Sequence, residues 1–316
     1  MRHINNRKKT SLSNKGRTFL LYATGIFFLI TTTVSCSHRS TIKIAQETAP
    51  SNALLWKIEG KDLAKPSYLF GTIHLIPQDK FLFNDVMKKA FSECDEIVFE
   101  IDMNIMNDFS QMFGLLSKIR MPDDMTIKDL LSEDDYKLFQ DKFADKGLPA
   151  FLLETIKPLF ISTLADGMDS PNQSMISYEI ELANKANDQN KTIGGLETID
   201  DQLAAIDSIP LKIQAQMLID ELKKEHGENE YERLVALYIQ QDIDALQKAI
   251  NQGMSKDDQT MMNFLLKDRN VKWIPKMNAM MKERPTFFAV GAGHLGGEYG
   301  VIKLLKEAGY KVSAIP

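Results

Sequence analysis

The sequence predicts an α/β protein whose mixed central sheet is built from two β/α halves, one at each end of the folded chain, with a large helical insertion between them. Three observations carry this. Strand, helix and strand patterns succeed one another between Leu54 and Ile101, a similar unit closes the chain between Thr286 and Ile315, and residues from about 104 to 284 are mostly helical in periodicity. A strand, helix, strand unit of this length makes a right-handed crossover in a parallel or mixed sheet.

The N-terminal segment stands apart from that fold. Arg2, Arg7, Lys8, Lys9, Lys15 and Arg17 are followed by the uncharged apolar run Phe19 to Val34, then Ser35 and Cys36. This is the order of a signal peptide over residues 1–35, with a basic region, an apolar region and a small-residue junction. The run is shorter than the ~20 apolar residues of a spanning helix, and an uncleaved anchor is the alternative. Thr33-Val-Ser-Cys36 resembles the lipobox of bacterial lipoproteins, with Thr33 in place of the usual Leu. That resemblance implies lipidation at Cys36, a membrane attachment through the lipid and a place in the bacterial cell envelope. Residues 36–53, rich in Ser, Thr and Gln, then read as a polar tether.

Charge follows the same division. The whole chain carries −5, and residues 1–35 hold six cations and no acid, so −5 less those six leaves −11 on the remainder. An acidic mature protein excludes a nucleic-acid backbone as partner, because phosphate binding needs a basic face. With 44% hydrophobic residues the chain is too apolar for a disordered protein. Cys36 and Cys94 are its two cysteines; if Cys36 is lipidated, no disulfide forms within the chain, and Cys94 reads as a packed small residue.

Within the folded part, Leu54 to Glu59 and Ser67 to His74 read as a hairpin turning at Gly60-Lys-Asp. Asn84 caps a helix running through about Glu93, and Glu96 to Ile101 is a short strand. In the insertion, Ser132 to Lys146, Leu203 to Asp207 and Glu228 to Asn251 are helical in pattern, and Lys191 to Gly195 is a strand leading into Leu196-Glu197. Thr286 to Val290 is a strand, Glu298 to Ala308 a helix closed by Gly309, and Tyr310 to Ile315 the last strand.

Two histidines share one context. Phe70-Gly-Thr-Ile-His74 and Val290-Gly-Ala-Gly-His294 each place G-x-x-H directly after an apolar strand. A strand end is a rigid platform, and glycine admits close backbone approach. Imidazoles there ligate a metal or move a proton near neutral pH, where a lone one would simply bond a loop carbonyl. His226 reads as a cation capping a helix C-terminus. Glu100 lies inside the apolar run Ile97 to Ile101. Either it faces outward, or a cation, metal or histidine sits beside it, because a lone buried carboxylate costs several kcal/mol. Glu197 is a second carboxylate at a strand end. Arg269-Asn270 looks locally like a solvated helix terminus.

Taken together, Gly71-Thr-Ile-His74, Val98-Phe-Glu100-Ile-Asp102, Gly195-Leu-Glu197-Thr with Gln202, Arg269-Asn270 and Gly291-Ala-Gly-His294-Leu-Gly resemble the TraB/PrgY/GumN family, which includes the Tiki proteases, over about Leu54 to Pro316. The resemblance implies an erythromycin-esterase/ChaN-like fold with both G-x-x-H histidines in one cleft. For the Tiki branch it implies a divalent-metal-dependent peptidase, with Mn, Co or Zn as the ion. By position it implies an active-site set of His74, Glu100, Arg269 and His294, supported by Glu197 and Asn270. His74, Glu100 and His294 are the expected metal ligands. H-E-x-x-H is absent, so no zincin helix carries the site. The expected activity is hydrolysis of a peptide or other small envelope substrate; the alternative is a non-catalytic envelope lipoprotein that binds a peptide or haem, as in a pheromone-limiting role.

Overall fold

The computed structural model describes residues 53–107, 109–145, 149–162, 174–223, 230–251 and 263–316. The signal-peptide segment, the tether as far as residue 52, Cys36 and His226 lie outside these residues; Ala53, the tether's last residue, is buried in the core.

The first two strands, β1 (Leu55–Glu59) and β2 (Ser67–Thr72), form the expected antiparallel hairpin, with Leu55 opposite Phe70. Gly60, Lys61 and Asp62 all take positive φ in its turn, at 89°, 48° and 64°. The chain does not continue straight to His74. It bends after Thr72, and β3 (Leu75–Pro77) pairs with β5 (Met175–Ser177) in a separate two-stranded sheet. Helix α1 (Asp85–Ser92) follows, capped by Asn84, whose side chain accepts from the Met87 N–H at 3.0 Å. It leads into β4 (Glu96–Ile101).

The insertion contains α2 (Phe109–Lys118), α3 (Glu133–Asp145), α4 (Tyr178–Asp188), β6 (Thr192–Glu197), α5 (Ile199–Asp207) and α6 (Leu211–Lys223). The pattern over 228–251 becomes two helices in the described residues, α7 (Glu230–Ile239) and α8 (Ile243–Asn251), broken where Gln241 takes φ 58°. A π turn over Asn263–Lys267 runs into α9 (Asp268–Glu283), then come β7 (Thr286–Gly291), α10 (Val301–Glu307) and β8 (Lys311–Ile315). The C-terminal helix thus begins at Val301 rather than at Glu298. Among the described residues no helix is long and apolar enough to cross a membrane.

The six-stranded sheet has the order β6-β4-β7-β2-β1-β8. β6, β4, β7 and β2 are mutually parallel, and β1 is antiparallel to both β2 and β8. The fold is therefore the predicted mixed α/β sheet. β2 and β7 are buried at every position because helices cover both faces, which is why SYLFGT and TFFAVG read as near-continuous apolar runs. Cys94 is buried behind α1, and burial pushes its thiol up to about 12, so it packs and does not react.

For function the consequence is positional. In an open sheet, ligands bind beyond the carboxyl ends of parallel strands. Four such ends lie side by side here: register pairs Thr72 with Gly291, Phe99 with Ala289, and Ile101 with Glu197.

Candidate active site

Each of the four strand ends delivers a group that the sequence marks. β4 brings Glu100, β6 brings Glu197, the bend after β2 brings His74, and the short turn Ala292–His294 after β7 brings His294. Arg269 and Asn270 come down from α9. The reading of those two as a solvated helix terminus is wrong: they are 4% and 2% exposed, because α9 runs on from the π turn and packs its first turn against the sheet.

Arg269 is the hub. Its Nε donates to Glu197 Oε1 and Oε2 at 2.9 and 3.1 Å, and its Nη2 donates to Glu100 Oε2 at 2.5 Å and also to Glu197 Oε1. Its Nη1 donates to the Leu265 carbonyl at 3.0 Å in the π turn and lies 3.3 Å from His294 Nε2. Of the two alternatives left open for Glu100, the buried and paired one holds. Besides Arg269 it accepts from the Gly291 N–H at 2.8 Å and from Gln202 Nε2 at 3.3 Å. Burial alone would raise its pKa, but Arg269, the nearby imidazoles and the Gly291 N–H outweigh it and hold the carboxyl well below the usual carboxylate range. For Glu197 burial wins and the pKa rises, although Arg269 and the Trp273 indole N–H, donating at 3.1 Å, oppose the shift.

His294 is 1% exposed. Asn270 Nδ2 donates to the carbonyls of His294 and Tyr299 at 3.3 and 2.9 Å, which turns Asn270 Oδ1 toward His294 Nδ1 at 2.6 Å. The proton therefore sits on Nδ1, and Nε2 presents its lone pair to the Arg269 side. Burial pushes the His294 pKa down to about 3, so the ring is neutral at physiological pH. Trp273 packs on it with ring centres 4.5 Å apart.

His74 is oriented by a residue that no local sequence signal marks. Its Nδ1 lies 2.9 Å from Glu179 Oε1, and that carboxylate also accepts from Thr72 Oγ1 and Ser177 Oγ, each at 3.0 Å. Burial opposes ionisation of Glu179, but the charge and hydrogen bond of His74 prevail and lower its pKa. Glu179 reaches His74 because β3 pairs with β5 and sets the start of α4 beside the bend, where the Tyr178 N–H donates to the His74 carbonyl at 3.2 Å.

The groups converge on Gly291. A Cβ built there would lie 3.3 Å from Glu100 Oε1 and 3.7 Å from both His74 Nε2 and His294 Cδ2. Two imidazoles and one carboxylate thus surround a space that only glycine leaves open. In kind this donor set suits a divalent transition ion, and two buried carboxylates, Glu100 and Glu197, share a single guanidinium. In spacing the site is not closed. Among the described residues no three His, Cys, Asp or Glu side chains stand together as a finished metal site, and His294 Nε2 is 3.6 Å from Glu100 Oε1.

A model of the TraB/PrgY/gumN family matches residues 54–314. Among curated proteins the chain is similar to the metalloprotease TIKI2 of Danio rerio, at 23% identity over 322 residues, and to the metalloprotease TIKI1 of Homo sapiens, at 24% over 325 residues. Both matches take in 84% of this chain but 61% and 62% of the relative, so the chain spans less than two thirds of their length. No solved structure matches.

Proposed function

The chain belongs to the TraB/PrgY/gumN family, and from that premise we propose that it is a metal-dependent hydrolase acting on peptides. The observation that carries this reading is the convergence of His74, His294 and Glu100 on Gly291 at the carboxyl ends of parallel strands. Relatives named as metalloproteases support it.

His74, His294 and Glu100 are the residues that would hold the ion. Such an ion supplies a Lewis acid, which draws charge from a carbonyl oxygen and makes water acidic near neutral pH. The protein's own groups are arranged for that task. Glu179 on one ring and Asn270 on the other fix the imidazoles through Nδ1, which directs each Nε2 away from its orienting partner, that of His294 lying 3.3 Å from Arg269 Nη1. Glu100, held ionised by Arg269 and the Gly291 N–H, is a weak base and a good anionic ligand. Arg269 directs its N–H groups to Glu197, Glu100, the Leu265 carbonyl and His294, so its part is to hold carboxylates rather than to stabilise a substrate oxyanion. In the overall reaction the water oxygen bonds to the amide carbon, the C–N bond breaks and the leaving nitrogen takes up a proton.

The N-terminal sequence supports attachment through lipidated Cys36 at the bacterial cell envelope, which radiolabelled palmitate incorporation and its loss in Cys36→Ser test. For the hydrolase, a peptide library is incubated with and without added Mn, Co or Zn ions. Metal-dependent products are expected; binding without turnover under every metal would contradict the proposal.

A further inference from the structure

Resting on the hydrolase reading, we propose that the cleft beside His74 and Glu100 is a specificity pocket for one apolar side chain of the substrate. The cleft opens from the two catalytic-side groups between the strand ends and the helical insertion. Its walls are Ile105, Leu115, Phe160, Ile199, Leu203 and Ile206, drawn from the turn after β4 and from α2, α5 and the segment before α4. Such a wall gains free energy only from apolar surface.

The polar groups that reach the cleft exclude the alternatives. Among the described residues they are His74, Glu100, Glu179 and Gln202, and no described lysine or arginine lines the cleft. An acidic substrate side chain would therefore lose its hydration and meet two carboxylates. A basic one finds those carboxylates already engaged, Glu100 by Arg269, Gly291 and Gln202, and Glu179 by His74, Thr72 and Ser177. A small side chain fits but leaves the aliphatic wall facing water. A branched aliphatic or aromatic side chain covers it, with its backbone carbonyl left toward the His74 and Glu100 end.

The test is equilibrium binding, which needs no turnover. N-acetyl-X-amides with X as Ala, Leu, Phe, Asp or Lys are titrated into the full chain by calorimetry, and the same residues are placed beside the scissile bond of a cleaved library peptide. Leu and Phe should bind at least about tenfold more tightly than Ala, with Asp and Lys weakest. Ile199→Phe, at a half-buried wall position, should shrink the Leu and Phe preference while leaving the thermal midpoint near that of the parent chain. Equal binding of Leu, Ala and Asp, or binding of none of them, overturns the pocket. The two readings fail separately: side-chain discrimination without any hydrolysis contradicts the hydrolase, whereas hydrolysis without discrimination contradicts the pocket.

Discussion

His74 Nδ1 and Glu179 Oε1 meet at 2.9 Å across 105 residues of chain. A carboxylate behind a ligating imidazole fixes its tautomer and raises its basicity, and losing such a partner costs about 10–100-fold in metal affinity. Glu179→Gln keeps the size and removes the charge, so its ion affinity should fall in that range, measured by competition with a chelating dye. Glu179→Asp should recover part of the loss. Unchanged affinity in Glu179→Gln would remove Glu179 from the site.

Arg269 neutralises two buried carboxylates, and removing one partner of a buried ion pair costs about 3–5 kcal/mol. Arg269→Met should lower the free energy of unfolding by that order, read from urea denaturation of the metal-free protein. Arg269→Lys should recover little of it, because a single ammonium cannot reproduce the fork that holds Glu197 and Glu100. Wild-type stability in Arg269→Met would contradict the hub described above.

Two glycines should respond oppositely to alanine. At Gly195 a Cβ would lie 2.3 Å from the Asp102 backbone nitrogen and 2.8 Å from the Ile101 carbonyl carbon, so β6 must separate from β4. Gly195→Ala should destabilise by about 1–3 kcal/mol or more. At Gly291 the nearest atoms are side-chain tips at 3.3 and 3.7 Å, which can shift by a few tenths of an ångström. Gly291→Ala should keep a near-native thermal midpoint and lose about tenfold or more in hydrolysis, since small misplacements of reacting groups are costly. Full activity in Gly291→Ala would show that the chemistry lies elsewhere.

The neutral, buried His294 sets a pH dependence in metal-free protein. Its folded pKa, about 3, lies below the ordinary 6.5, so as pH falls below about 6.5 the unfolded chain takes up a proton that the folded chain refuses. Stability is therefore full above that pH and declines below it by about 1.4 kcal/mol per pH unit from this ring. Glu100 and Glu179, with lowered pKa values, add losses only at more acidic pH, whereas Glu197 and Glu96, with raised values, act in the opposite sense just above the ordinary carboxylate range. Denaturation with a chelator present, between pH 6.5 and 5.5, should show a slope that His294→Phe abolishes. An equal slope in the variant would contradict a neutral, buried His294.

What the sequence made legible was local. An apolar run followed by G-x-x-H announces a strand end, so the sheet and both histidines could be read directly, whereas the carboxylate within Ile97 to Ile101 either faces outward or demands a partner, and only its burial decides between the two. Glu179 could not, because its role depends on the pairing of Leu75–Pro77 with Met175–Ser177, two short strands far apart in sequence. Trp273 was hidden likewise: only the packing of α9 shows that its indole serves Glu197. The burial of Arg269 depends on the π turn and helix that precede and follow it, where charge alone suggests solvent. The break at Gln241 is not legible in the sequence, because a left-handed residue other than glycine leaves no strong trace in composition.

The central claim is that both G-x-x-H histidines and Glu100 hold one divalent ion. The most direct measurement is the metal content of the purified protein after loading and desalting, set beside the His74→Ala, His294→Ala double variant. A stoichiometric ion is expected in the parent chain and none in the folded double variant. An ion retained in full by the double variant, or none taken up by the parent chain, would contradict it.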